Sequence, residues 1–320
     1  MDYAYTGPFA ENIKALIAEK RAAGHSYTSP AWILKHFDTF TADNYPDAKT
    51  LTPEIALAWA KRRDGDSAAY AISRANPVRQ LALSMNRMGH EAHVLSMDGF
   101  AKPAEPKRHI FTKKELSLFF EAVDSRPSSA TSTHRNIVAS ALFRTIYCCG
   151  LRTGEATRLK VEDVDLEAGS ITIYQSKGDK DRIVYVSDDL GKLLVCYAKD
   201  ISLAVPDRAA FFPSLKGGHL TVQVVNQWFN AMWFSLPDPI CQTPVKPSIR
   251  SFRHTFACER IRLWLKEGKD LRSVIYYLSE YMGHSSFRET EYYLHLLPEH
   301  YPGLLEAVGR VSDALLPEVD

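Results

Sequence analysis

The hydrophobic period of this chain changes at one place. In SITIYQSKGDKDRIVYVS, residues 170–187, β-branched and aromatic residues fill two runs, 170–175 and 182–187, around a Gly-Asp turn. That pattern reads as a β-hairpin. Most of the remaining sequence is patterned for helices. FAENIKALIAEKRAAG has apolar residues at helical spacing and ends on Gly24, and SYTSPAWILKHFDTF follows it. LTPEIALAWAKRR offers Thr52 as a cap with Pro53 at the first helical position, and AISRANPVRQLALSMNRMG continues the helical pattern. Thr112, followed by Lys-Lys-Glu, opens a helix through about Val123, and STHRNIVASALFRTIYCCG predicts a longer one that stops at Gly150. Helical patterns return from about residue 221 and persist to LLEAVGRVSDALL. The expected class is therefore mainly α (α+β), with one small antiparallel sheet.

A chain of 320 residues exceeds one ordinary core. The stretch GFAKPAEPKRHIFT has two prolines and mixed charge without periodicity, which marks a linker over 101–109. It separates a helical domain, 1–100, from a second domain, 110–320, that is mostly helical and carries the hairpin. Hydrophobic residues make up 45% and charged residues 24%, values of a globular rather than a disordered chain. The net charge of +1 favours no partner by itself, so the placement of charge must decide. Basic residues gather in Lys61-Arg62-Arg63 and in Arg250, Arg253, Arg260 and Arg262. Five cysteines without a CxxC pair fit reduced thiols better than a disulfide framework or a zinc site. MDYAYTGPFAENIK has an early acid and no apolar leader core, and no apolar run is long enough to span a bilayer. A cytoplasmic protein without membrane contact is expected.

Four stretches could carry chemistry: CGLRTGEATRLKVEDVD (149–165), SKGDKDR (176–182), IRSFRHTFA (249–257) and GHSSFRETEYYLH (283–295). Taken singly, each has a structural explanation: a surface arginine, a solvated hairpin tip, a basic helix face, a packed histidine with core aromatics. Together they supply two arginines from distant segments, a lysine on a hairpin, a histidine and a tyrosine, which is what attack on a phosphodiester without metal requires. Arginine's rigid fork holds non-bridging phosphate oxygens bidentately. A tyrosine hydroxyl, with a reference pKa of about 10, needs cations and a base nearby before it is a useful nucleophile. A lysine of lowered pKa can protonate a leaving oxygen. There is no HExxH, no His or carboxylate set at metal-ligand spacing and no Gly-rich phosphate loop, so neither a metal nor a nucleotide cofactor is expected.

The order of these motifs, CGLRTGE, SKGDKDR, RHTFA, then GHSS with a tyrosine nine residues after the histidine, resembles the tyrosine recombinase (phage integrase) family over roughly residues 110–300. The helical N-terminal region looks like that family's core-binding (SAM-like) domain. The resemblance implies that Arg152 is the first catalytic arginine and Glu155 the acid that buttresses the site. Lys177 matches the hairpin lysine that acts as general acid, with Lys180 as its possible substitute at the same turn. Arg253 matches the second arginine and His284 the histidine that supports the phosphate. Tyr293, at the family spacing from His284, matches the nucleophile. Tyr292 would point about 100° away on a helix and is read as packing.

Two departures stand out. The family usually has His or Lys three residues before the second arginine, where this chain has Arg250, and arginine cannot shuttle a proton at neutral pH. The general-base duty then falls on solvent or on the His284 network, or activity is reduced. His254 is no obvious replacement, because a histidine after the second arginine is already part of the family's usual RH pair and one residue's shift changes the helix face. The second departure is the long gap from Arg253 to His284, read as a lengthened helix and turn.

The implied function is site-specific recombination of duplex DNA through a 3′-phosphotyrosyl intermediate, in integration, excision or transposition of a mobile element. It also implies double-stranded DNA recombination sites as partner, a homo-tetramer on DNA from a monomer or weak oligomer, and a nucleoid-associated location. The apolar pattern of GLLEAVGRVSDALL is consistent with a C-terminal helix that docks on a neighbouring subunit or on its own domain. The alternatives are strand breakage and rejoining of the type IB topoisomerase kind, or a DNA-binding member of the fold with impaired catalysis.

Overall fold

The computed structural model describes residues 3–101, 108–126, 134–174, 181–238, 240–284, 286 and 288–300. The chain divides into two compact units, Met1–Pro106 and Lys107–Asp320.

The first unit packs four helices, α1 (Ala10–Ala22), α2 (Thr28–Asn44), α3 (Pro53–Ala60) and α4 (Ala68–Arg87). Thr52 caps α3 as expected, its hydroxyl accepting the Ile55 N–H. The core centres on Phe37, which is stacked on Phe9 at 6.1 Å and meets Trp59 edge-on at 5.4 Å. The Asp38 carboxylate is fully buried, where an unpaired charge would be costly, and it accepts the Thr6 and Gly7 N–H groups at 2.9 Å each. Gly7 is required for this join, since a Cβ there would lie 2.6 Å from the Asp38 carbonyl oxygen.

The second unit opens with α5 (Lys113–Asp124). Its capping box is the predicted one: the Glu115 N–H donates to the Thr112 hydroxyl at 3.2 Å and the Thr112 N–H donates to the Glu115 carboxylate at 2.6 Å. Next come α6 (Arg135–Cys149), the short α7 (Thr153–Arg158), strands β1 (Val164–Asp165), β2 (Ser170–Ile173) and β3 (Arg182–Tyr185), and α8 (Asp188–Ala204). Further on come α9 (Val222–Trp233), α10 (Ile249–Lys266), α11 (Leu271–Met282) and α12 (Arg288–His300). The expected hairpin is the β2–β3 pair, antiparallel with Ile171 opposite Val184, and β1 adds a third strand on the far side of β2. Ile171, Ile173 and Val184 face the core.

Two differences from the sequence reading have local causes. Helix α8 occupies a stretch left unassigned there, although Ser187 caps it and Asp188 and Asp189 sit in its first turn, both helix-start signals. The interval between Arg253 and His284, expected as a lengthened helix and turn, holds the end of α10 at Lys266, a turn at Gly268 with φ 68°, and a second helix, α11. Lys177, Lys180 and the expected C-terminal helix lie outside the described residues.

Helix α10 contributes to two hydrophobic clusters. Phe252 joins an aromatic cluster with Phe111, Phe119, Phe143 and Phe229, whereas Phe256, Ala257 and Ile261 pack with Ile275, Leu278 and Met282 of α11 and with Tyr293 of α12. Gly150 closes α6 against it. It adopts φ +61°, the Leu151 N–H bonds back to the Ile146 carbonyl at 3.2 Å, and a Cβ would meet the Phe256 ring at 2.5 Å. Gly150→Ala is therefore expected to combine left-handed backbone strain with overpacking, about 2–5 kcal/mol together. A urea melt with a lowered midpoint and unchanged slope would show it; an unchanged midpoint would contradict this reading of the turn.

Candidate active site

The Gly150 turn delivers Arg152 to the start of α7. Glu155, one turn on, is buried and accepts both the Arg152 backbone N–H and the Arg152 guanidinium at 2.8 Å. A second arginine closes on the same carboxylate: Arg182 of β3 donates to its two oxygens at 3.1 and 2.8 Å. Burial alone would raise the Glu155 pKa, but hydrogen bonds and charge from Arg182, with help from Arg152, hold it down at about 2.

Sequence reasoning passed over Arg182, although strand alternation contained the signal. In RIVY, residues 182 and 184 share a face, and Val184 is fully buried, so Arg182 points inward and needs an acid partner.

The C-terminal end of α11 organises the site. A helix leaves its last carbonyls without intrahelical partners at the negative end of its dipole. Here three successive carbonyls each receive a guanidinium from a different element. Arg182 Nε donates to Tyr281 O at 2.8 Å, Arg253 Nη2 to Met282 O at 2.6 Å and Arg152 Nη2 to Gly283 O at 2.6 Å. Arg253 also donates through Nη1 to Gly150 O at 2.6 Å. Its side chain is thus pinned between the ends of α6 and α11, and burial draws its pKa down to about 10, which still leaves it charged at neutral pH.

Gly283, at φ 63°, turns the chain into His284. His284 is buried, with Nδ1 2.6 Å from the Thr290 hydroxyl, and its ring lies against that of Tyr293 at 6.0 Å and 23°. Tyr293 on α12 is 3% exposed, while Tyr292 is half-buried, its ring plane at 64° to that of Tyr293. Burial raises the Tyr293 hydroxyl to about 12, against the opposing pull of Arg253.

His254 departs from expectation. Although it sits on another face of α10 from Arg253, α12 crosses that helix so that His254 Nδ1 lies 3.2 Å from the Tyr293 hydroxyl.

Arg152, Glu155, Arg253, His254, His284 and Tyr293 line one cavity of ≈ 890 Å³. Arg152 is partly open to it, Arg250 is exposed at its border, and Arg108, another residue the motifs did not mark, joins them. Within 890 Å³ the arrangement can hold an anion against several guanidinium groups beside a tyrosine hydroxyl. Among the described residues no group of three or more His, Cys, Asp or Glu could hold a metal ion, and no helix is long and apolar enough to cross a membrane.

The chain has relatives among known proteins. The sequence profile of the Phage integrase family matches residues 109–300. The chain is 28% identical over 265 residues to the tyrosine recombinase XerD of Mycobacterium tuberculosis, covering 77% of this chain and 79% of that protein. It is 26% identical over 304 residues to XerD of Lacticaseibacillus casei, covering 92% of this chain and 95% of that protein. Among solved structures, the XerH site-specific recombinase bound to its palindromic difH substrate superposes with a TM-score of 0.62 at 20% identity, over 90% of this chain and 82% of that one, a likeness of fold. The profile spans well over half of the sequence, and the chain belongs to the phage integrase family of tyrosine recombinases, whose members are DNA strand-transferases.

Proposed function

We propose that this protein is a site-specific recombinase in which Tyr293 cuts one DNA strand and is joined to its 3′ phosphate. The observation that carries this reading is the buried Tyr293 hydroxyl in a cavity bordered by Arg152, Arg250 and Arg253. The tyrosine oxygen forms a bond to phosphorus, the bond from phosphorus to the 5′ oxygen breaks, and that oxygen leaves with a proton from Lys177, or from Lys180 at the same turn. A 5′ hydroxyl of the partner duplex then attacks the phosphotyrosine and releases Tyr293. The phosphotyrosyl link conserves the energy of the broken bond, so rejoining requires no nucleotide.

Arg152 and Arg253 take the non-bridging oxygens, and their ties to carbonyls fix the forks before DNA arrives, which lowers the reorganisation needed at the transition state. Glu155 holds Arg152 in place, His284 supports the phosphate and the nucleophile's ring, and Arg250 adds a positive charge at the border. Lys and Arg contacts to duplex phosphates supply salt-dependent affinity. Four copies assemble on paired sites, and the reaction serves integration, excision or transposition of a mobile element.

The test uses a pool of nicked duplexes of randomised sequence. Incubation with the wild-type protein is expected to yield a detergent-resistant adduct, and sequencing the captured strands defines a site. Two labelled duplexes carrying that site should then exchange strands. Rejoining of the original strand alone would favour topoisomerase chemistry, and a pool that yields no adduct would refute the proposal.

A further inference from the structure

At a pKa of about 12, only about one Tyr293 hydroxyl in 10⁵ is ionised at pH 7, so cleavage needs a group to take its proton. The family's usual acceptor position holds Arg250, which has no acceptor atom.

We propose that His254 accepts the Tyr293 proton during strand cleavage and returns it during rejoining. This rests on the reading of Tyr293 as nucleophile. His254 Nδ1 is 3.2 Å from the hydroxyl, with ring centroids 5.6 Å apart. The other ring nitrogen, Nε2, is buried and has no hydrogen-bond partner among the described residues, so no neighbour there claims the ring for a structural bond. In the transfer the O–H bond breaks, Nδ1 gains the proton, and the oxygen's electron pair forms the bond to phosphorus. On rejoining, the departing tyrosine oxygen recovers the proton from Nδ1–H.

The surroundings tune this acceptor to the presence of DNA. Besides Tyr293 on α12, the charged groups acting on His254 are Arg108 from the segment before α5, and Arg253 and Arg250 on α10 itself. Burial first, then these three cations, hold the free protein's imidazole neutral, with a pKa near 4. A bound phosphodiester would offset the cations and raise the basicity of His254 when the substrate is in place. His284 is placed differently: its Nδ1 is engaged by Thr290 and its ring lies flat against Tyr293.

The experiment is single-turnover adduct formation on the captured duplex between pH 4.5 and 8. It uses the ordinary phosphodiester and a 5′-bridging phosphorothiolate, whose sulfur leaves without a proton. Wild type is expected to slow on acidification, with an apparent pKa between about 4 and the ordinary histidine value of 6.5. His254→Gln should be slower by about 10²–10⁴-fold on both substrates and lose the acidic limb, with DNA affinity unchanged. A His254→Gln rate within about threefold of wild type, its recovery on the sulfur substrate, or an acidic limb that persists in the variant would overturn the inference. If His254→Gln and His254→Asn both fail to fold, the wild-type profile on the sulfur substrate decides, a flat one refuting it. Adduct lost in Tyr293→Phe but kept in His254→Gln sinks the His254 role alone. No adduct from wild type sinks the nucleophile reading as well.

Discussion

Tyr293→Phe is expected to eliminate the covalent DNA adduct, whereas Tyr292→Phe forms it at close to the wild-type level. The first change removes one oxygen and leaves a ring of the same shape among Met282, Leu294 and Ile275. The variant loses the hydroxyl's contact to His254, about 0.5–1.5 kcal/mol, and should fold and bind DNA normally. Loss of adduct would then be loss of the nucleophile. Tyr292 also borders the cavity, but its ring is turned by 64° from that of Tyr293 and it makes no bond to His254 or His284 among those described. The assay is denaturing electrophoresis of labelled nicked duplex. An adduct that survives in Tyr293→Phe and vanishes in Tyr292→Phe would reverse the assignment.

Glu155→Gln should have the largest effect on stability. The carboxylate is 2% exposed and bridges Arg152 and Arg182, so the amide leaves two guanidinium groups without their shared counter-charge. Removing one partner of a buried ionic group costs about 3–5 kcal/mol. Strand transfer should fall too, since Arg152 loses its anchor. Acid titration provides a second readout. The Glu155 pKa is lowered from 4.5 to about 2 in the folded state, so the protein binds fewer protons at this site than the unfolded chain does. The resulting stability, about 3 kcal/mol, is fully present above pH 4.5 and is lost as pH falls through about 2. Urea melts between pH 6 and pH 2 should show this loss in wild type and a flatter profile in Glu155→Gln. Parallel profiles for the two proteins would mean that Glu155 is not the group responsible.

The Glu155 cluster shows how unevenly the site can be read from sequence. Arg152 and Glu155 are three residues apart at a helix start, and a capping box is a local pattern. Arg182 arrives from a strand 27 residues after Glu155, and only the alternation of RIVY points to its inward side. His254 lies on another face of α10 from Arg253, one residue further along the helix. The crossing of α12 brings that face to Tyr293. Helix α8 carries equally local start signals, a capping serine and two acids in its first turn.

From sequence alone came the features set by neighbours along the chain. These are the caps at Thr52 and Thr112, the glycine stop at Gly150, and the pairing of 170–173 with 182–185. Backbone dihedrals, helical period and strand alternation act over a few residues, so they leave their mark in the letters. Tertiary structure decided what the charged side chains meet. Arg152, Arg182 and Arg253 come from three elements to three consecutive carbonyls at the end of α11. A buried cation must find an acceptor wherever packing provides one, and which carbonyls α11 presents depends on how it lies against α10. That placement is a property of the assembled core, and no spacing in the sequence encodes it.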